Sequence, residues 1–282
     1  MAALVMQLNA AQAQELSWLP KLVTVPAGEF VSGSDRDERE LGYQLDEAAY
    51  GHSITRERRW YESEHMRQVR TLPQFSIMKT PVTRCDYARF VDDTGRETPQ
   101  IDQPTWDAQR LKHSYPSTIK FQWQPGEQNR QERCQHPVVL ITHKDAVAYA
   151  EWLSQMSGKT WRLPDEFEWE KAARGSAGNL FPWGNQFDDS KLNSHDRGPF
   201  DTLPVGSFVN SASPYGVLDA AGQVFEWTST EHITNPERFI VKGGSWDDKG
   251  CGVCRPAARH YRTENLKHIL VGFRLVTDLD KR

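Results

Sequence analysis

Three stretches of the chain place apolar residues at helical spacing between a polar cap and a glycine. In the first, Tyr87, Phe90 and Val91 share a face, Thr83 is placed to cap with Asp86 three residues on, and Gly95 suits a left-handed stop. In the second, Thr142 caps with Asp145, and Ala146, Tyr149, Ala150, Leu153 and Met156 are predicted to face the core before Gly158. The third begins at Asp165, where Glu168 completes a capping box and Lys171 and Arg174 complement the helix dipole near the end. Elsewhere the pattern shortens. "LVTVPAGEFVSGS" reads as two strands about Pro26-Ala27-Gly28, and "RFIVKGGSW" and "GFRLVTD" read as short strands. Residues 96–135 are polar and aperiodic, with Gln, Pro and Trp, and read as a long surface insertion of the kind that carries function. No Pro- or Ser-rich linker divides the chain, so residues 17–282 read as one domain.

Composition narrows the classes. At 282 residues the chain can bury a sizeable core, and its ten tryptophans suggest rings filling space between irregular segments. A net charge of -4, with basic and acidic residues intermixed, gives no field for nucleic acid. No apolar run approaches the roughly 18–20 residues of a membrane span. Residues 1–16 start apolar and contain Ala11-Gln12-Ala13, which resembles the end of a truncated export signal. The expected location is the periplasm, or outside the cell.

Candidate chemistry concentrates near the C-terminus. Cys251-Gly252-Val253-Cys254 follows a Gly243-Gly244-Ser245-Trp246 turn and could be a redox pair, half a metal site or a structural clip. A zinc ribbon needs a second pair, whereas Cys85 and Cys134 are single and far apart. In an exported protein the four cysteines could form two disulfides, with three possible connectivities. The nine histidines include no pair four residues apart, which disfavours a helix-borne iron site. After the cysteines, Arg259, His260, Arg262, Glu264 and His268 form a polar cluster. Beside the turn it would suit an anionic or catecholic ligand with Glu264 as general base; otherwise it is a solvated charged loop.

Several segments together resemble the formylglycine-generating enzyme, or sulfatase-modifying-factor, family: "VPAGEFVSGS", "HPVVLITHKDAVAYAEWLS", "WRLPDEFEWEKAARG", "FPWGN", "FEWTS", "VKGGSW" and "VGFRLV", in the family's order. The resemblance implies a single compact α+β domain, related to C-type lectins and low in regular secondary structure, often with bound calcium. Its members include copper-dependent cysteine oxidases, iron-dependent sulfoxide-forming enzymes, periplasmic proteins of siderophore (pyoverdine) maturation and non-catalytic regulators of type VI secretion. Fold cannot choose among these. At the position of the first copper thiolate this chain has Asp248, a hard ligand unsuited to Cu(I), while Cys251 could stand for the second and Cys254 has no counterpart. The Asn expected before "GFR" is absent, since the run is Leu270-Val271-Gly272, so sulfatase activation by the family mechanism is not expected. The calcium pattern falls on Gly222, Val224 and Glu226, with a second site at Asn193 and Ser194; pairing of Glu226 with an arginine is the alternative. The expectation is an oxidative tailoring enzyme acting on a small aromatic or peptide-like substrate, using Ser245, Trp246, Asp247, Cys251, Cys254, Arg259 and Glu264, with copper or iron undecided. The alternative is a binding or regulatory protein that contacts a periplasmic protein partner.

Overall fold

A computed structural model describes residues 18–123 and 133–278. The export-signal reading of residues 1–16, and part of the 96–135 stretch, lie outside the described residues. Among the described residues ten short strands form three sheets. One has the order β1 (Leu22–Val25), β4 (Phe75–Met78), β10 (Val276–Thr277), β5 (Trp161–Arg162), so that two strands near the N-terminus close on the end of the described chain. A two-stranded ribbon pairs β2 (Gly28–Ser32) with β3 (Gln68–Leu72). The third sheet has the order β8 (His260–Thr263), β7 (Asn235–Lys242), β6 (Phe225–His232), β9 (Val271–Gly272), with β6 and β9 parallel.

The β6–β7 hairpin does most to position the site. Its tip is open to solvent, with Ile233 94% exposed, whereas its root is buried from Phe225 to Thr228 and from Ile240 to Lys242. The residues after β7 are therefore delivered into the interior.

The three anticipated helices form as α3 (Arg84–Thr94), α5 (His143–Ser157) and α6 (Glu166–Arg174). Thr83, Thr142 and Asp165 each make a full capping box, and Gly95 and Gly158 are left-handed stops. Met156, expected in the core, is 49% exposed, while Trp152 takes the buried place instead. In α6 every residue except Phe167 is buried, so its charges answer tertiary partners rather than only the helix dipole. Glu168 holds Arg162 at 2.6 and 2.7 Å, and Lys171 donates to the carbonyls of Pro26 and Gly28.

Three further helices were not legible from apolar spacing: α1 (Arg36–Tyr50), the single turn α2 (Ile54–Glu57) and α4 (Gln103–Ala108). Helix α1 is capped by Asp35 and Glu38 and stopped at left-handed Gly51, but the face it buries is Glu38, Gly42, Tyr43 and Asp46. The described part of the 96–135 stretch is anchored. Ile101, Trp106 and Phe121 are buried in one cluster with Trp246 and Ile269.

Candidate active site

The Gly243-Gly244 pair lets β7 turn where no side chain fits. A Cβ on Gly243 would lie 3.0 Å from the Trp169 ring, and one on Gly244 would lie 2.5 Å from Cys254 Sγ; both residues have positive φ. Ser245, fully buried, closes the next turn: its backbone N–H and its hydroxyl donate to Asp248 Oδ2 at 2.8 and 2.6 Å. Trp246 is fixed by its backbone N–H to the Gln223 carbonyl at 3.1 Å, and its ring stacks on Phe121 at 5.9 Å and lies 5.7 Å from His113.

This turn holds two consecutive carboxylates in unlike surroundings. Asp247 Oδ2 accepts from His113 Nε2 at 3.1 Å and from Lys112 Nζ at 3.3 Å. Burial works to raise its pKa, but the His113 hydrogen bond and the charges of His113 and Lys112 outweigh it and hold the carboxyl below its usual range. Asp248 is pushed up to about 6 by burial, with the Asp247 charge adding to the effect and the Ser245 hydrogen bonds opposing it. Neighbouring acids with pKa values driven apart are the arrangement that assigns one group to hold a proton and the other to take one. His268, 6.2 Å from His113 between ring centroids, is pushed down to about 3 by burial and by Arg262 and His113, so it is neutral. Tyr50, whose hydroxyl accepts from Lys249 N–H at 3.1 Å, is pushed well up by burial and by the Asp248 charge.

The cysteines are placed differently. Cys251 is bonded to Cys254 and Cys85 to Cys134, leaving no free thiol among the described residues. Both Cys251 and Cys254 are fully buried. The turn between them is covered by α1, where Asp46 accepts from Gly252 N–H at 3.0 Å, and a Cβ on Gly252 would overlap the Gly42 carbonyl. Arg255 follows, paired with Glu64 at 2.6 and 3.2 Å, both side chains wholly buried, and lying 4.7 Å over the Tyr61 ring. The geometry is that of a structural clip.

Of the residues expected to share the site, Ser245, Trp246 and Asp247 come together, and two others do not. Arg259 is committed to Glu166 at 2.5 and 2.9 Å and to the Ser63 carbonyl. Glu264 pairs with Lys144 at 2.8 Å, beyond the end of β8, with its own N–H on the Glu237 carbonyl. Because β8 runs antiparallel to β7 (His260 opposite Val241, Thr263 opposite Arg238), each step past His260 carries the chain away from the turn. Sequence reasoning missed His113 and Lys112 as partners of Asp247. His113 is 134 residues away, and no local spacing announces the contact.

For a metal, no group of three or more His, Cys, Asp or Glu side chains converges among the described residues. Glu226, the expected calcium carboxylate, is instead gripped by Arg274 at 2.6 and 2.7 Å, and its Oε2 also accepts from Trp169 Nε1 at 2.8 Å. Gly222 and Val224 lie on the same turn, where Gly222 N–H donates to the Gly243 carbonyl. Asn193 fits a cation better. Its Oδ1 is buried without a donor while its Nδ2 is used by Gln223 and the Asp201 carbonyl, and Ser194 is fully buried beside it.

The model of the sulfatase-modifying factor enzyme 1-like domain matches residues 7–279. A hercynine oxygenase of Mycolicibacterium smegmatis is 29% identical over 91% of this chain, which spans 61% of that protein. A formylglycine-generating enzyme of Mycobacterium tuberculosis is 27% identical over 92% of this chain and 98% of its own length. The solved structure of PvdO from Pseudomonas aeruginosa superposes with a TM-score of 0.68 at 25% identity, covering 92% of this chain and 95% of that one.

Proposed function

The chain belongs to the sulfatase-modifying factor enzyme 1-like family, and on that premise we propose that it is an oxidative tailoring enzyme acting on a small aromatic or peptide-like substrate. The observation that carries the reading is the Asp247–Asp248 pair, in which Asp248 stands where cysteine-oxidising relatives have their first thiolate, with His113 on Asp247 and Ser245 on Asp248. In this reading Asp247, oriented by His113, takes a proton from the bound substrate and raises its electron density. Asp248 takes the second proton from the neighbouring oxygen, and the two carboxyls pass both protons on to the reduced dioxygen. The substrate loses two electrons and two protons, and dioxygen receives them as hydrogen peroxide. The similarity to a hercynine oxygenase supports an oxidative role.

Two bonded cysteine pairs support action in an oxidising compartment such as the periplasm. Calcium is proposed as a structural ion held by Asn193 Oδ1 and the Ser194 carbonyl, to which it would supply a fixed positive charge. Removing it with a chelator is expected to lower the melting temperature. A second reading, a binding protein without turnover, draws on the locked thiols and on the lack of a convergent three-ligand group among the described residues. Oxygen uptake and peroxide release with 3,4-dihydroxyphenylacetate as probe separate the two. Uptake that depends on Asp247 supports the enzyme, and its absence across mono- and dihydroxyphenyl probes supports the binding protein.

A further inference from the structure

The stretch from residue 96 to 123 does more than bury tryptophan. It carries Lys112 to Asp247 and Lys120 to the Trp246 ring. Lys112 Nζ lies 3.3 Å from Asp247, with its side chain 76% exposed. Lys120 Nζ lies 5.8 Å from the Trp246 ring centroid and is 46% exposed. Lys120 Nζ pairs with Asp201 at 3.0 Å and donates to the Phe200 carbonyl at 3.2 Å; because Arg133 also holds Asp201, at 2.6 and 3.0 Å, the three groups together keep a net positive charge. Lys249 lies 6.0 Å over the Tyr50 ring on the same turn, and the Arg262 charge acts on Asp248 from β8. The Trp246 indole Nε1–H is buried and has no acceptor. A buried donor without a partner is a standing demand for an acceptor atom.

We propose that the substrate of this site carries an oxyanion, as an aromatic carboxylate, seated across Trp246 between Lys112 and Lys120. This rests on the reading of the Asp247–Asp248 turn as the substrate site and adds the chemical class that the site selects. The carboxylate supplies the acceptor that Trp246 lacks and meets two ammonium groups, and charge-assisted hydrogen bonds of this kind are the strong ones. Lys112, which also holds Asp247 at 3.3 Å, then lies between that aspartate and the carboxylate and offsets their repulsion, and the substrate enters in one orientation.

The test is calorimetric binding to the full chain of 4-hydroxyphenylacetate against 4-hydroxyphenylacetamide, its neutral counterpart. The expected result is that the anion binds about tenfold more tightly or better, and that this preference falls below about threefold in the Lys112→Met/Lys120→Met variant. Raising the salt with the unaltered protein is a second measurement that needs no variant, and it should shrink the same preference. Affinities within threefold of each other, a preference that survives both substitutions, or no binding of either probe would overturn the proposal. Failure here and failure of the oxidative reading are distinguishable: peroxide release from 3,4-dihydroxyphenylacetamide as fast as from 3,4-dihydroxyphenylacetate would remove the oxyanion requirement and leave the oxidative activity standing.

Discussion

Ser245–Asp248 and Cys251–Cys254 occupy one continuous loop, yet they have opposite characters. The cysteine turn is sealed under α1, with Asp46, Gly42 and the Arg255–Glu64 pair filling the space around it. The carboxylate turn is only part-buried, keeps a buried indole N–H without an acceptor, and meets side chains that reach solvent. Reactive residue types in the first are fully satisfied and therefore structural. The aspartates of the second are hydrogen-bonded as well, but they are only partly covered, and the Trp246 indole N–H beside them has no acceptor. In this chain the carboxylate turn is set apart by unmet hydrogen-bonding demand near solvent, and the thiols beside it by complete enclosure.

The comparison can be broken or sharpened by substitution. The largest effect on stability is expected from Glu64→Gln, which strands the Arg255 guanidinium in the interior beneath α1. Urea unfolding should show a loss of about 3–5 kcal/mol. A smaller loss would mean that α1 is not seated by this pair. Next is Asp248→Asn. Because the folded pKa is raised from 3.8 to about 6, the native carboxyl keeps its proton longer than the unfolded one. Its contribution is fully present below about pH 4 and is lost as the pH rises to about 6. The asparagine variant should therefore gain on the unaltered protein across that window, on the order of 2–3 kcal/mol by pH 7, with no gain at pH 4. Cys251→Ser/Cys254→Ser should cost about 2 kcal/mol, the loop-closure value for so short a ring, while leaving the binding of 4-hydroxyphenylacetate within about threefold.

Caps and apolar spacing made α3, α5 and α6 legible in the sequence, because their stop residues and core faces are local. Helix α1 escaped because its buried face is built from Glu38, Gly42, Tyr43 and Asp46, residues that a search for apolar period passes over. Its capping box and Gly51 stop were there to be found. At the site, the glycine turn announced Ser245, Trp246 and Asp247, since the turn itself is encoded locally. Their partners His113, Lys112 and Lys120 come from a stretch with no period, and only tertiary folding brings them in. Glu264 and Arg259 misled for the opposite reason. They are close in sequence to the cysteines, but β8 directs Glu264 outward and Glu166 captures Arg259.

The central claim is that chemistry in this protein belongs to the carboxylate turn and not to the thiols beside it. Oxygen uptake with 3,4-dihydroxyphenylacetate, compared between Asp247→Asn and Cys251→Ser/Cys254→Ser, tests it most directly. The account predicts a fall of about a hundredfold or more for the aspartate variant and a rate within about threefold of the unaltered protein for the double serine variant. The reverse, an active aspartate variant and an inactive serine one that is still folded, would contradict it.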